Sequence, residues 1–190
     1  MNVITMSTVI EKACQAIAKD DIDKGKEIIN DWYPFVPNRI DRKPLSDEKK
    51  LQVFMRDGFI DRYSGERLVF QGTLQILSLT MPKEFPYHAH GKTDMCHNAW
   101  WELYPSIEHI QPVAYGGNND LDNLITVSQI RNNAKGSIPL HELGWSLVPC
   151  GNIAEWDGMV HWFIDYVETH KDMLNVAYIS NWYKVCNKVL

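Results

Sequence analysis

Ile107-Glu108-His109-Ile110-Gln111-Pro112, then Gly116-Gly117-Asn118-Asn119-Asp120-Leu121-Asp122-Asn123, then Arg131-Asn132-Asn133-Ala134-Lys135-Gly136 is the run whose reading decides the fold. It reads as strand, turn, strand, helix. Ile107 to Val113 suits a first strand, Gly116 and Gly117 supply the backbone freedom of a turn, and Leu124 to Val127 suit a second strand. Ser128 then caps a short helix through Lys135, which Gly136 closes as an αL cap. A unit this compact brings Glu108 and His109, on a strand, against Asn132, one turn into the helix.

The pattern resembles the HNH, or ββα-metal, endonuclease family: an acid-His pair followed by two residues and Pro, a Gly-rich turn, an Asn, and an Asn three residues before a Lys. The resemblance covers Glu108 to Gly136, with Pro112, Gly116, Gly117 and Lys135 in matching places. It implies that His109 is the general base that takes a proton from water, a task suited to a neutral imidazole. It implies that Glu108 and the side-chain oxygen of Asn132 hold one hard divalent cation, magnesium, manganese or another, that neutralises the scissile phosphate. Asn123 would brace the loop and orient His109, and Lys135 would contact a phosphate.

The chain departs from the family in three ways. Glu108 stands where Asp is commoner, one methylene longer. Asn132 stands where many members have His, a variant similar to the one in the HNH domain of RNA-guided CRISPR nucleases. The cysteine pairs that hold a structural zinc in many small members are missing, since Asp61, Ser64 and Arg131 occupy the matching places. No structural zinc is expected, and packing must hold the core instead.

Working outward, Thr8 to Glu11 reads as a capping box for a helix carrying Val9, Ile10, Ala13 and Ile17. Asp20 and Asp21 offer the cap of a second helix, and Trp32 to Pro37 stop it, so residues 1–36 form an N-terminal helical segment. Residues 37–140 are the nuclease core. Ser46 caps a helix through Met55 that Asp57-Gly58 breaks; Ser64-Gly65 and Gln71-Gly72 signal turns of a short hairpin; Leu74 to Leu79 fit either strand or helix. An insert runs from about 69 to 104; its residues 81–105, rich in Pro, His and aromatics, read as irregular with a short helix over Ala99 to Leu103. Residues 141–190 form a C-terminal helical segment, with one helix through Trp156 to Val167 and another over about Leu174 to Val189. The expected class is α+β, a small ββα core flanked by helical segments.

A second metal site is open at His88, His90, Cys96 and His97, which fit loose zinc ligands, ordinary histidines or helpers of the active site. Trp100, Trp101 and Tyr104 read as core in preference to a base-stacking platform. The four cysteines, Cys14, Cys96, Cys150 and Cys186, form no CxxC pair and read as free thiols. With no apolar run of spanning length and no secretory signal, no membrane is expected and the place is the cytoplasm.

The net charge of -5 is awkward for a DNA enzyme, because Lys and Arg supply most non-specific affinity. Residues 37–92 nonetheless carry Arg39, Arg42, Lys43, Lys49, Lys50, Arg56, Arg62, Arg67, Lys83 and Lys92, an excess over their acids that can form a basic face. The leading expectation is a metal-dependent nuclease acting on DNA, with RNA less favoured. The alternatives are a degenerate DNA-binding module and a defence or toxin component whose helical ends engage a protein partner. A homodimer is one route to cutting both strands.

Overall fold

The computed structural model describes residues 5–35 and 44–190, in two compact units divided between Asp41 and Arg42. Pro37, Arg39, Arg42 and Lys43 lie outside the described residues.

The first unit is a pair of helices, α1 (Met6–Ile17) and α2 (Ile22–Trp32). Thr5, not Thr8, is the cap of α1: its side chain accepts from the Thr8 N–H, so the helix starts one turn earlier than the capping-box reading places it. Asp21 caps α2 through the Lys24 N–H. The helices meet at Gly25, where a Cβ would stand 3.3 Å from Ile17 Cγ1 and 3.6 Å from the Ala13 carbonyl.

The second unit is an α+β assembly with a small antiparallel sheet. In chain order it contains α3 (Asp47–Arg56), α4 (Gln71–Thr80), α5 (Ala99–Glu102), β1 (Pro105–His109), β2 (Leu124–Ser128), α6 (Gln129–Lys135), α7 (Leu140–Leu143), α8 (Val160–Thr169) and α9 (Ala177–Val189). Its apolar centre lies where α3, α4, α8 and α9 meet, around Phe54, Phe59, Phe70, Phe163, Ile179 and Trp182. Phe70 is the hub, with its ring edge-on to Phe163 at 5.1 Å and to Trp182 at 5.4 Å. The C-terminal helices are thus part of the same core as α3 and α4.

The strands pair antiparallel, with Glu108 opposite Ile125 and His109 opposite Leu124. The first strand runs Pro105–His109, two residues earlier than the sequence suggests, and stops short of Val113. Its end follows from Pro112, which has no N–H to give a ladder, and from Asn123, whose side chain takes the Gln111 N–H. Val113–Tyr115 instead form one 3-10 turn ended by Gly116 at φ 82. Gly136 does have positive φ, 52, but with ψ -126 it is not an αL cap.

The expected hairpin after residue 59 reduces to one isolated bridge, Ile60 to Arg67, around the turn Asp61–Gly65. Gln71-Gly72 begins α4 and is not a turn. Leu74 to Leu79 is helical, and Gln71, Gly72, Thr73, Leu74, Ile76 and Ser78 are all buried. The last helix begins at Ala177 after a 3-10 turn over Lys171–Asn175. Among the described residues no helix is long and apolar enough to cross a membrane.

Candidate active site

The strand-strand-helix unit is held in place by its own polar side chains. Ser128, the last residue of β2, accepts from the Arg131 N–H and so starts α6 directly at the end of the strand. Because α6 follows without a loop, Asn132 and Lys135 lie against β1. Asn132 uses both amide protons there, donating to Ser106 Oγ at 2.6 Å and to the Ile107 carbonyl at 2.9 Å. Its carbonyl oxygen Oδ1 takes no part in these two bonds. Ser106 and Glu108 share a strand face because side chains alternate along β1, so Asn132 is fixed on the side that carries Glu108.

Glu108 is buried. Its Oε1 accepts from Lys135 Nζ at 3.0 Å and from the His109 N–H at 2.7 Å, while Oε2 is buried with no partner. Burial pushes this carboxyl above the usual glutamate range, against the pull of the Lys135 ammonium and of the hydrogen bonds it accepts. The Tyr63 hydroxyl, also buried and unpartnered, has its titration pushed far up by burial first, then by the charges of Glu108 and Asp61. The space around Glu108 therefore holds polar atoms whose bonding capacity is unused.

Lys135 does not face solvent as a phosphate contact would require. It is fully buried, with Nζ on Glu108 Oε1 and, at 3.2 Å, on the His109 carbonyl. Asn123 closes the loop: its Oδ1 accepts from the Gln111 N–H, and its Nδ2 donates to the carbonyls of Gln111 and Asn118. The side chain that meets His109 is a different one, Asn119, whose Oδ1 lies 2.9 Å from His109 Nε2. With a carbonyl oxygen opposite it, Nε2 is placed to donate, and in the tautomer that does so Nδ1 is the accepting nitrogen. Asn119 stands in the quoted Gly116-Gly117-Asn118-Asn119 turn, and its place there was its only signal.

Two further residues, unremarked as functional groups in the sequence, hold this unit to α3. Asp57 and Asp61 are both fully buried. Asp57 Oδ2 accepts from the Thr126 N–H at 2.7 Å, and its Oδ1 meets Arg56 and Arg62. Asp61 Oδ2 accepts from the Ser128 N–H at 2.8 Å and lies 3.5 Å from Arg131, while its Oδ1 takes the Tyr63 and Ser64 N–H groups. Asp61, Ser64 and Arg131, the places that match zinc-binding cysteines, thus meet as one hydrogen-bonded cluster. Arg56 and Arg62 both bond to Asp57 and, between them, to the carbonyls of Leu121, Leu124 and Val148, so most of their donors are already taken.

Among the described residues no three His, Cys, Asp or Glu side chains converge as a metal-holding group. His88, His90, Cys96 and His97 are no exception: Cys96 Sγ accepts from the His88 N–H, His97 Nδ1 accepts from the Ala99 N–H, and the His97 ring stacks on Phe85. At Glu108 the donors of the kind a hard cation takes are oxygens, Oε2 and Asn132 Oδ1, and the first of these is closed to solvent. Compared with models of protein families, with curated proteins and with solved structures, the chain matches none.

Proposed function

We propose that this protein is an HNH-type endonuclease that hydrolyses phosphodiester bonds of DNA with the help of one divalent cation. The observation that carries the reading is the placement of Glu108 and His109 on a strand against the helix bearing Asn132, with Glu108 Oε2 buried and unpartnered. That oxygen is under-bonded, and a hard cation would satisfy it.

The work divides among the side chains. Asn119 fixes the imidazole with the Nε2 proton directed at it, which turns Nδ1 into the base. Nδ1 takes a proton from the attacking water. Glu108 and Asn132 would hold the cation, Asn132 being pinned by its two donated bonds. When bound, a magnesium or manganese ion supplies positive charge beside the scissile phosphate. Lys135 acts through Glu108: it fixes Oε1, which leaves Oε2 as the ligand oxygen.

The same ion pair favours a second reading, a DNA-binding module that no longer cuts, because Lys135 already supplies Glu108 with a counter-charge. Supercoiled plasmid incubated with the wild type and with His109→Ala, each with magnesium, manganese or EDTA, separates the two. The nuclease gives metal-dependent nicking that the variant lacks. Equal cutting by His109→Ala would sink the assigned base, and salt-sensitive binding without product under any metal would leave the binding module.

A further inference from the structure

A cavity of about 300 Å3 lies beside the start of α6. Its wall includes Tyr87, Trp100, Trp101, Tyr104, Tyr178 and Gln129, and among the described residues no Asp, Glu, Lys or Arg lines it. It is at the small end of ligand pockets, large enough for one planar ring system. Burial raises the Tyr178 phenol far above its ordinary range, helped by Tyr104, and burial raises the Tyr87 phenol as well. The rings surround the space without filling it, with Tyr87 and Trp100 centred 4.4 Å apart at 44° and Trp100 and Tyr104 at 6.0 Å.

The indole N–H groups of Trp100 and Trp101 are both buried and have no partner, but they are closed to solvent and so do not open into the cavity. An uncharged ring is the ligand that such an aromatic wall suits, and Gln129 adds an amide that donates and accepts.

The place of this cavity joins it to the candidate active site. Gln129 is the first residue of α6, one turn or about 5 Å along the helix from Asn132. Tyr104 directly precedes β1, and its carbonyl accepts from the Gln129 N–H at 3.0 Å. We infer that the cavity takes one unstacked nucleobase of a single-stranded or locally unpaired DNA strand, and so positions the neighbouring phosphate at Glu108 and His109. This rests on the nuclease reading for its substrate. Aromatic walls suit it because every base has a face to stack while the duplex interior hides those faces.

The test uses full-length His109→Ala protein in EDTA, which binds without cutting, and a single-stranded oligonucleotide with one 2-aminopurine, whose fluorescence falls on stacking. Saturating protein should quench it, and Tyr87→Ala and Trp101→Phe, checked for native circular dichroism, should weaken binding, the first by about fivefold or more. An oligonucleotide abasic at that position should bind weaker by a similar factor. Unquenched fluorescence, equal affinity for the abasic strand, or binding of 2-aminopurine nucleoside with none of the oligonucleotide would each overturn the proposal. Plasmid nicking by the wild type beside an unquenched oligonucleotide refutes the pocket alone; quenching without nicking refutes the nuclease alone.

Discussion

Replacing Lys135 by Met keeps the length of the side chain and deletes its charge, which isolates the value of the buried ion pair with Glu108. Lys135 is fully buried and Glu108 is 5% exposed, so little water reaches the carboxylate that is left behind. The substitution removes two charged hydrogen bonds, at 3.0 Å to Glu108 and 3.2 Å to the His109 carbonyl. Breaking one partner out of a buried pair costs about 3–5 kcal/mol, mostly the penalty of the orphaned charge. A loss of about 3 kcal/mol moves a urea midpoint down by about 1–3 M. Tryptophan fluorescence is a suitable probe, because of the seven tryptophans only Trp32 lies in the first unit. The cost must also depend on pH. Glu108 is held above its ordinary value of 4.5, and removal of Lys135 lifts it further. A raised carboxyl contributes stability that is full below its unfolded pKa and is lost as pH rises through its folded pKa. The penalty of Lys135→Met should therefore be small near pH 4.5 and grow with rising pH above it. Glu108→Gln together with Lys135→Met should cost less than Lys135→Met alone at pH 8, since no buried charge remains. A cost below about 1 kcal/mol, or one that does not change with pH, would refute the buried pair as described.

Asn119→Ala should lower kcat by about 10- to 100-fold with KM little changed, because the imidazole loses the partner that fixes its proton on Nε2; an unaltered pH-rate profile would argue against that positioning role. Asp57→Ala strands the Thr126 N–H and frees two guanidinium groups, and should lower stability by about 3 kcal/mol in denaturant titration. Gly72→Ala places a Cβ 2.5 Å from Phe70 Cε1 and 2.7 Å from Phe163 Cε2, so the aromatic hub must shift; a loss of about 1–3 kcal/mol, read as a lowered Tm, is expected without any effect on metal-dependent cutting at temperatures where the variant is folded.

Local signals in the sequence reached the elements whose ends are set by neighbours along the chain. Ser46, Asp21 and Ser128 all cap the helices that follow them, because a cap is a contact over three residues. The hairpin after residue 59 failed because Asp61 and the turn it folds bond to Thr126 and Ser128 of β2, more than sixty residues away. Helix α4 could not be told from a strand since it is buried on more than one face and shows no amphipathic period. At the candidate site, the motif spacing located Glu108, His109, Asn123 and Asn132 but not what each touches. Lys135 reads as an exposed cation in any local view; only the pairing of β1 with β2 carries it onto Glu108. Asn119 was hidden for a similar reason, since a loop asparagine gains a role from the ring it meets.

The carboxylates of Asp57 and Asp61 have a consequence for assembly. A two-stranded sheet has two edges, each a row of N–H and C=O groups open to pairing with another chain. On the β2 side the Thr126 and Ser128 N–H groups go to these carboxylates, and the Thr126 carbonyl accepts from the Arg62 N–H. On the β1 side the Ile107 carbonyl is taken by Asn132. The β2 edge is thus plugged by side chains and loop backbone of the chain itself, so the sheet cannot be lengthened strand by strand from that side into a shared sheet or a fibril seed. Copies of this chain that met would do so through helices, loops or the β1 edge.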